Sequence, residues 1–141
     1  MTNSAKSFRA YLLFIEAWFF LAAARCLLLF FPFKTIVPIL GAVNAQSAVS
    51  NTSDLDILAL ISLSIKRGCR YSPWRTKCFE QALAAKMMLK RRHVISTIFF
   101  GVYRNINDAK LNGHAWLESN GIIVTGGGDL EHFTVVGSFT G

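Results

Sequence analysis

The chain has 141 residues, of which 52% are hydrophobic and 16% are charged. This length predicts one domain, and the apolar content excludes an intrinsically disordered chain. The formal net charge of +7 indicates either an ordinary solvated basic surface or a surface for an acidic peptide or partner. Nucleic acid is not expected as a partner, because the chain has no zinc-finger spacing, aromatic RNA-binding signature or long basic helix.

The first element is an apolar segment, residues 10–33, with the sequence AYLLFIEAWFFLAAARCLLLFFPF. It is long enough to cross a bilayer, and the basic residues ahead of it and the alanines within it also fit a signal peptide. Glu16 and Arg25 complicate both interpretations. The two residues are nine positions apart, which places them on opposite sides of a helix, and unpaired charges are costly in lipid. The alternatives are a helix packed on the domain or facing a partner, a membrane contact, and a signal sequence.

The cysteine content indicates a reduced protein of the cytoplasm. Three cysteines, Cys26, Cys69 and Cys78, are an odd number without regular spacing, which argues against a disulfide framework. No Cys-x-x-Cys pair is present, so neither a structural zinc site nor another metal site is expected. Cys26 lies in the apolar segment and is expected to be a small buried hydrophobic residue.

A change in composition divides the chain into two regions. Residues 41–53, GAVNAQSAVSNTS, are small and polar and predict a linker after a break near Phe31. The prediction is an N-terminal apolar helical region with its linker, residues 1–53, followed by a core of residues 54–141.

The core begins with helices and continues with strands. Capping residues and apolar periodicity predict one helix over 54–68, ended by Gly68, and a second over 78–92. From residue 94 onward, four β-rich runs alternate with polar or glycine turns, among them Asn120-Gly121, and predict an antiparallel meander. The fold class is therefore α+β, helices first and an antiparallel sheet after them.

Cys78 and His114 form the candidate catalytic pair. Cys78 opens the second helix beside Lys77, and the positive end of a helix dipole favours a thiolate. His114, in the strand GHAWLES, can accept and return a proton. The alternatives are a structural thiol and an ordinary surface or core histidine.

A third residue is needed to orient a catalytic histidine. Asp129, after the glycine run of residues 126–128, is the candidate, and an ordinary loop or capping aspartate is the alternative. Glu118 and Asp108 are competitors for the same role.

Two tryptophans and an arginine flank the candidate pair in sequence. The candidate substrate-binding residues are Trp74, Arg75 and Trp116. The two tryptophans can bind substrate if one face of each indole ring is exposed, and they are core residues otherwise.

The segments SPWRTKCFEQALAAKMMLKRR, IFFGVYR and GHAWLESNGIIVTGGGDLEHFTVVGSF together resemble the transglutaminase-like cysteine proteases of lasso-peptide biosynthesis, specifically the protease half of the two-part B protein. The resemblance covers residues 69–139, and the N-terminal helices resemble that family more loosely. It implies a transglutaminase-like or papain-like core in which Cys78 is the nucleophile and His114 the base. Such folds place the acidic residue of the triad in the strand after the histidine strand. In this chain that strand is residues 122–125, which contain no Asp or Glu.

The resemblance also implies a function and partners. A leader peptidase of this family cleaves the leader from a ribosomally made precursor peptide without a cofactor. A separate leader-recognition protein delivers the precursor, and an ATP-dependent macrolactam synthetase acts next. The alternatives are acyl transfer to an amine by the same triad, a non-catalytic binding or scaffold protein, and a small membrane protein.

Overall fold

The computed structural model describes residues 3–43, 55–74, 76–104, 107, 111–128 and 130–141. Within these residues, helices precede an antiparallel sheet, which confirms the predicted α+β class. The helices are α1 (Asn3–Phe30), α2 (Phe33–Leu40), α3 (Leu55–Tyr71) and α4 (Cys78–Arg91). The strands are β1 (Ala42–Val43), β2 (Thr97–Arg104), β3 (Leu111–Ser119), β4 (Ile122–Thr125) and β5 (Thr134–Thr140), with a short 3-10 helix at Leu130–His132.

The sheet has the order β1-β5-β2-β3-β4, and all its pairings are antiparallel. The strands β2, β3 and β4 follow one another as a meander, but β5 crosses back and pairs with β2. The expected four-stranded meander is therefore wrong in its last strand. This crossing brings Phe139 of β5 into an aromatic cluster with Phe33 and Phe100, with ring centroids 5.8–6.2 Å apart.

Helix α1 packs lengthwise on α3 and α4. Its buried face carries Leu13, Ala17, Leu21 and Ala24, which are at most 4% exposed, and the spacing of three and four residues puts them on one side of a helix. On α3, a Cβ atom at Gly68 would lie 2.8 Å from Cδ1 of Leu21. Gly68 therefore permits close packing of two helices, and α3 continues past this position, where the sequence predicted its end.

The two charged residues within the apolar stretch of α1, Glu16 and Arg25, are paired with residues of α4 and its C-cap. The Arg92 guanidinium donates to both carboxylate oxygens of Glu16 at 2.7 and 2.6 Å, and Arg91 lies 3.2 Å away. Burial alone would raise the pKa of Glu16, but these arginines outweigh it and lower that pKa below its usual value. Arg25 pairs with Glu80 at 2.9 Å. These pairs explain how Glu16 and Arg25 are accommodated in an apolar helix.

The other side of α1 is exposed and apolar, with Phe8, Leu12, Phe19 and Phe30 each at least 49% exposed. Cys26 also lies on this side and is exposed, so the expectation of a buried Cys26 is wrong. By length and composition, Ser4–Phe30 could cross a membrane, a property that the core helix of a soluble protein shares.

The predicted domain boundary at residues 53–54 lies outside the described residues.

Candidate active site

The start of α4 is fixed by a buried carboxylate. Lys77 is extended, with φ −87° and ψ 167°, so the helix begins at Cys78. Glu80 accepts the backbone N–H of Lys77 at 3.3 Å and the guanidinium of Arg25 at 2.9 Å. This cap sets the backbone around Cys78, whose half-buried thiol lies in the first turn of the helix.

Cys78 and His114 line the same pocket. It has a volume of about 360 Å³ and is lined by Cys78, Phe79, Phe100, Gly101, Val102, Gly113, His114, Ala115 and Val136. Phe79 packs on Phe100 with ring centroids 5.1 Å apart, which attaches the first turn of α4 to β2. A larger groove of about 690 Å³ lies beside α1, around Glu16 and Arg92, and contains neither candidate catalytic residue.

The His114 ring is held by an aromatic environment and one hydrogen bond. It lies beside Phe133 and Trp116, with centroid distances of 5.1 and 5.9 Å. Its Nε2 atom is 2.8 Å from the carbonyl oxygen of Gly126. A carbonyl oxygen only accepts, so Nε2 donates and carries a proton in this arrangement.

The register of the sheet shows which faces the two residues occupy. His114 pairs with Gly101 and Trp116 with Phe99, so His114 and Trp116 share one face, whereas Phe100, against which Phe79 packs, points to the other. In the described part of the chain, no hydrogen bond joins Cys78 to His114. The His114 side chain therefore points to the face of the sheet opposite to the one that Phe79 and the start of α4 contact, although Cys78 and His114 both border one pocket.

The predicted orienting residue is not placed by this structure. Asp129 and its competitor Asp108 lie outside the described residues, as does Arg75. Glu118 pairs in register with Thr97, and no hydrogen bond joins it to His114 within the described ranges. The group in contact with Nε2 is instead a main-chain carbonyl, which no side-chain pattern in the sequence could indicate.

The two tryptophans predicted to bind substrate take part in packing. Trp74 packs on Trp18 of α1 with ring centroids 4.9 Å apart. Trp116 is 5% exposed and stacks on Phe99 at 5.6 Å. Neither lines the pocket that contains Cys78, so their role in substrate binding stays a prediction.

The apolar lining of that pocket was missed from the sequence. Phe100 and Val102 come from β2 and Val136 from β5. The alternation of residues along a strand could have placed Phe100 and Val102 on one face. It could not have shown that this face meets the start of α4.

Cys69 is the other half-buried cysteine of the chain. Burial raises the pKa of the Cys69 thiol and the charge of Glu80 adds to this, against a hydrogen bond with Thr76 that lowers it. Cys69 is therefore protonated at neutral pH.

Among the residues that the structure describes, no three His, Cys, Asp or Glu side chains are grouped so that they could bind a metal ion.

Comparison with known protein families agrees with this architecture. The model of the transglutaminase-like superfamily, Transglut_core3, matches residues 21–138. The chain belongs to the transglutaminase-like superfamily, which usually comprises cysteine-dependent enzymes. No curated protein and no solved structure matched the chain significantly.

Proposed function

We propose that this chain is a cysteine peptidase that removes the leader from a lasso-peptide precursor. The observation that carries the proposal is the shared pocket of Cys78, at the start of α4, and His114, on β3, in a chain of the transglutaminase-like superfamily. The resemblance of residues 69–139 to the B-protein protease supports the finer assignment.

The reaction begins when His114 takes the proton of Cys78 and the thiolate attacks the scissile carbonyl carbon. The backbone N–H groups at the start of α4 are the donors nearest in sequence for the developing oxyanion. The imidazolium then gives its proton to the leaving amine, and a thioester forms on Cys78. Water, deprotonated by His114, hydrolyses the thioester and releases the carboxylate product.

The lining of the pocket supports a peptide substrate. Phe79, Phe100 and Val136 supply apolar contact area, while Gly113 leaves open space, with no atom within 4 Å of the position that its Cβ would occupy. A pocket of this composition suits an apolar side chain next to the scissile bond. The proposal includes a separate leader-recognition protein that delivers the precursor and a macrolactam synthetase that uses the product.

The test is cleavage of a leader-bearing precursor by the purified chain, with and without the recognition protein, followed by mass spectrometry. We expect a leader fragment with a free carboxylate that contains heavy oxygen when the solvent water does. Cys78→Ala and His114→Ala should abolish cleavage, whereas Cys69→Ser should not. An uncut precursor in the presence of all partners would contradict the proposal.

Two rival functions give other results in the same assay. Acyl transfer is possible for any transglutaminase-like cysteine enzyme, and it would give a product joined to an amine. A non-catalytic binding protein is favoured by the missing hydrogen bond between Cys78 and His114 in the described structure. It would retain the precursor without cutting it, and Cys78→Ala would not change its affinity.

A further inference from the structure

Helix α1 is apolar on two opposite sides, and the described part of the chain covers one of them. That side packs on α3 and α4, whereas the other, the outer face, is exposed. A helix that is apolar all round normally lies buried on every side, in a protein core or in lipid. The outer face is formed by large residues that helical periodicity places on one side, each at least 45% exposed: Phe8, Leu12, Ile15, Phe19 and Phe30. It therefore lacks the apolar environment that its composition requires.

The groove beside the outer face carries positive charge. Arg9 and Arg91 line it together with Leu12, and the Arg91 side chain is 66% exposed. Glu16 also lines this groove, but Arg92 lies 2.6 Å from its carboxylate and neutralises it. The charge left at the border of the outer face is therefore that of arginine.

An adjoining groove adds a further cation to the same border. It is lined by Lys6, Arg9 and Asp56, so that two cations face one carboxylate, in a chain whose formal net charge is +7. An apolar surface with a cationic border is complementary to a lipid surface, in which anionic headgroups lie above acyl chains.

We propose that the outer face of α1 binds the surface of an anionic lipid membrane, with the helix lying in the plane of that surface. The helix has 28 residues, so this contact is about 40 Å long at 1.5 Å per residue. Tyr11 and Trp18 are exposed along one border of the outer face, and such side chains are typical of the boundary between lipid and water. Among the described residues that line the Cys78 pocket, none belongs to α1, so the proposal does not rest on the peptidase function.

The ion pairs of α1 favour a helix that lies on the membrane over one that crosses it. Glu16 is bound to Arg92 and Arg25 to Glu80, and both partners belong to α4 or its C-cap. A crossing helix would leave these partners behind, and two unpaired charges in the hydrocarbon region are costly. In the proposed orientation both pairs stay intact, on the side of α1 that faces the protein.

A lipid surface fits the outer face better than a second copy or another segment of this chain. In a second copy the same arginines border the same face, so like charges would meet across a symmetric contact. Residues 44–54, which join β1 to α3, have Val49 as their largest apolar side chain, and they offer little area to cover five large residues. The side of a helix is convex, and a fluid bilayer adapts to such a surface.

The experiment is flotation of the full chain with lipid vesicles through a density gradient. One set of vesicles consists of phosphatidylcholine alone, and the other of equal parts of phosphatidylcholine and phosphatidylglycerol. The test variants are Arg9→Ala and the double variant Phe8→Ser, Phe19→Ser. The matched controls are Arg104→Ala and Leu111→Ser, which remove an exposed cation and an exposed apolar side chain where β2 pairs with β3.

We expect the chain to float with the anionic vesicles, to float much less with the neutral ones, and to be released progressively as salt is added. Arg9→Ala should weaken the binding about fivefold, the contribution of one cation near an anionic surface. The double variant should weaken it roughly tenfold or more, because two apolar rings no longer leave water. Both controls should bind as the unmodified chain does.

Four results would overturn the proposal. The first is no binding to either kind of vesicle, and the second is equal binding by the test variants and their controls. The third is a chain that stays in the vesicles after extraction with alkaline carbonate, which would mean that α1 crosses the bilayer. The fourth is a dimer in analytical ultracentrifugation that the double variant dissociates, which would assign the outer face to a second copy.

Discussion

The guanidinium of Arg25, on α1, lies 2.9 Å from the carboxylate of Glu80, two residues beyond Cys78 on α4. The Glu80 side chain is 3% exposed and that of Arg25 is 31% exposed. Glu80 also accepts the Lys77 N–H, so one carboxylate joins the N-terminal helix to the first turn of the helix that carries the candidate nucleophile. The N-terminal helix is thus a structural support of the candidate site.

Arg25→Ala should destabilise the fold, because it leaves Glu80 buried without its counter-charge. We expect a loss of roughly 3 kcal/mol in the free energy of unfolding, the low end for a broken buried pair because Arg25 is partly solvated. Urea unfolding measures it. Arg9→Ala, at an exposed position of the same helix, is the control, and adding Glu80→Gln to Arg25→Ala should restore part of the loss. Equal stability of the Arg25 and Arg9 variants would contradict the prediction.

Gly68→Ala should also destabilise the protein, although alanine is the better helix former by about 1 kcal/mol. The added Cβ would meet Cδ1 of Leu21 at 2.8 Å, and Leu21 is fully buried, so its side chain would have to shift within the packed contact between α1 and α3. Overpacking of this kind costs about 1–3 kcal/mol. Thermal unfolding of Gly68→Ala, Leu21→Ala and the double variant should show that the second change relieves the first. Strictly additive effects would count against the contact.

Local signals in the sequence predicted the helices, the β-rich runs and the start of α4 at Cys78. These local signals could not predict contacts between residues far apart in the sequence. Glu16 pairs with Arg92 across 76 positions and Arg25 with Glu80 across 55, and only the packing of α1 on α4 brings these charges together. The pairing of β5 with β2 likewise joins segments that are far apart in the sequence, and it accompanies the burial of Phe139.

The candidate site was also predictable from the sequence only in part. Cys78 and His114 are recognisable by residue type and element. The carbonyl of Gly126 is a backbone group placed by a positive φ and a hairpin, and it has no side chain that could reveal it.

The contribution of Glu16 to stability should depend on acid pH. Burial alone would raise its pKa, but the hydrogen bonds and charges of Arg92 and Arg91 lower it below 4.5. A carboxylate with a depressed pKa stabilises the fold above its unfolded pKa, and this contribution is lost as the pH falls through the folded value. Glu16→Gln should therefore cost about 1–3 kcal/mol at neutral pH. The difference in the free energy of unfolding between Glu16→Gln and the unmodified chain should shrink as the pH falls below 4.5. Urea unfolding across that pH range measures it, and a constant difference would refute the prediction.

Lys86 should make stability rise at alkaline pH. Its side chain is fully buried and donates to the Ser96 carbonyl at 2.7 Å and to the Ser96 hydroxyl at 3.2 Å. Burial, with a smaller effect of Lys90, lowers its pKa from 10.5 to about 8. Between these two values the unfolded chain binds more protons than the folded chain, so the free energy of unfolding increases with pH.

The control for this effect is Lys86→Met, which keeps the length of the side chain and removes the titrating group. Stability curves of the two proteins from pH 7 to 11 should diverge above about pH 8, with the unmodified chain gaining relative to the variant, and level off above about 10.5. Parallel curves would show that Lys86 titrates in the folded protein as it does in solution.

The proposed pairing of Cys78 with His114 predicts that the Cys78 thiol reacts at pH values below the usual range. A free thiol titrates at about pH 8.5, and its reactive fraction falls about tenfold with each pH unit below that. Cys26 is exposed and would react as well, so the measurement needs a Cys26→Ser background. In that background, alkylation of Cys78 by iodoacetamide should stay fast from pH 8.5 towards pH 6. With His114→Ala added, the rate should fall with the slope of a free thiol, because nothing then stabilises the thiolate beyond the helix dipole. Identical profiles in the two proteins, also after the recognition partner is added, would make Cys78 a structural thiol and the chain a binding protein.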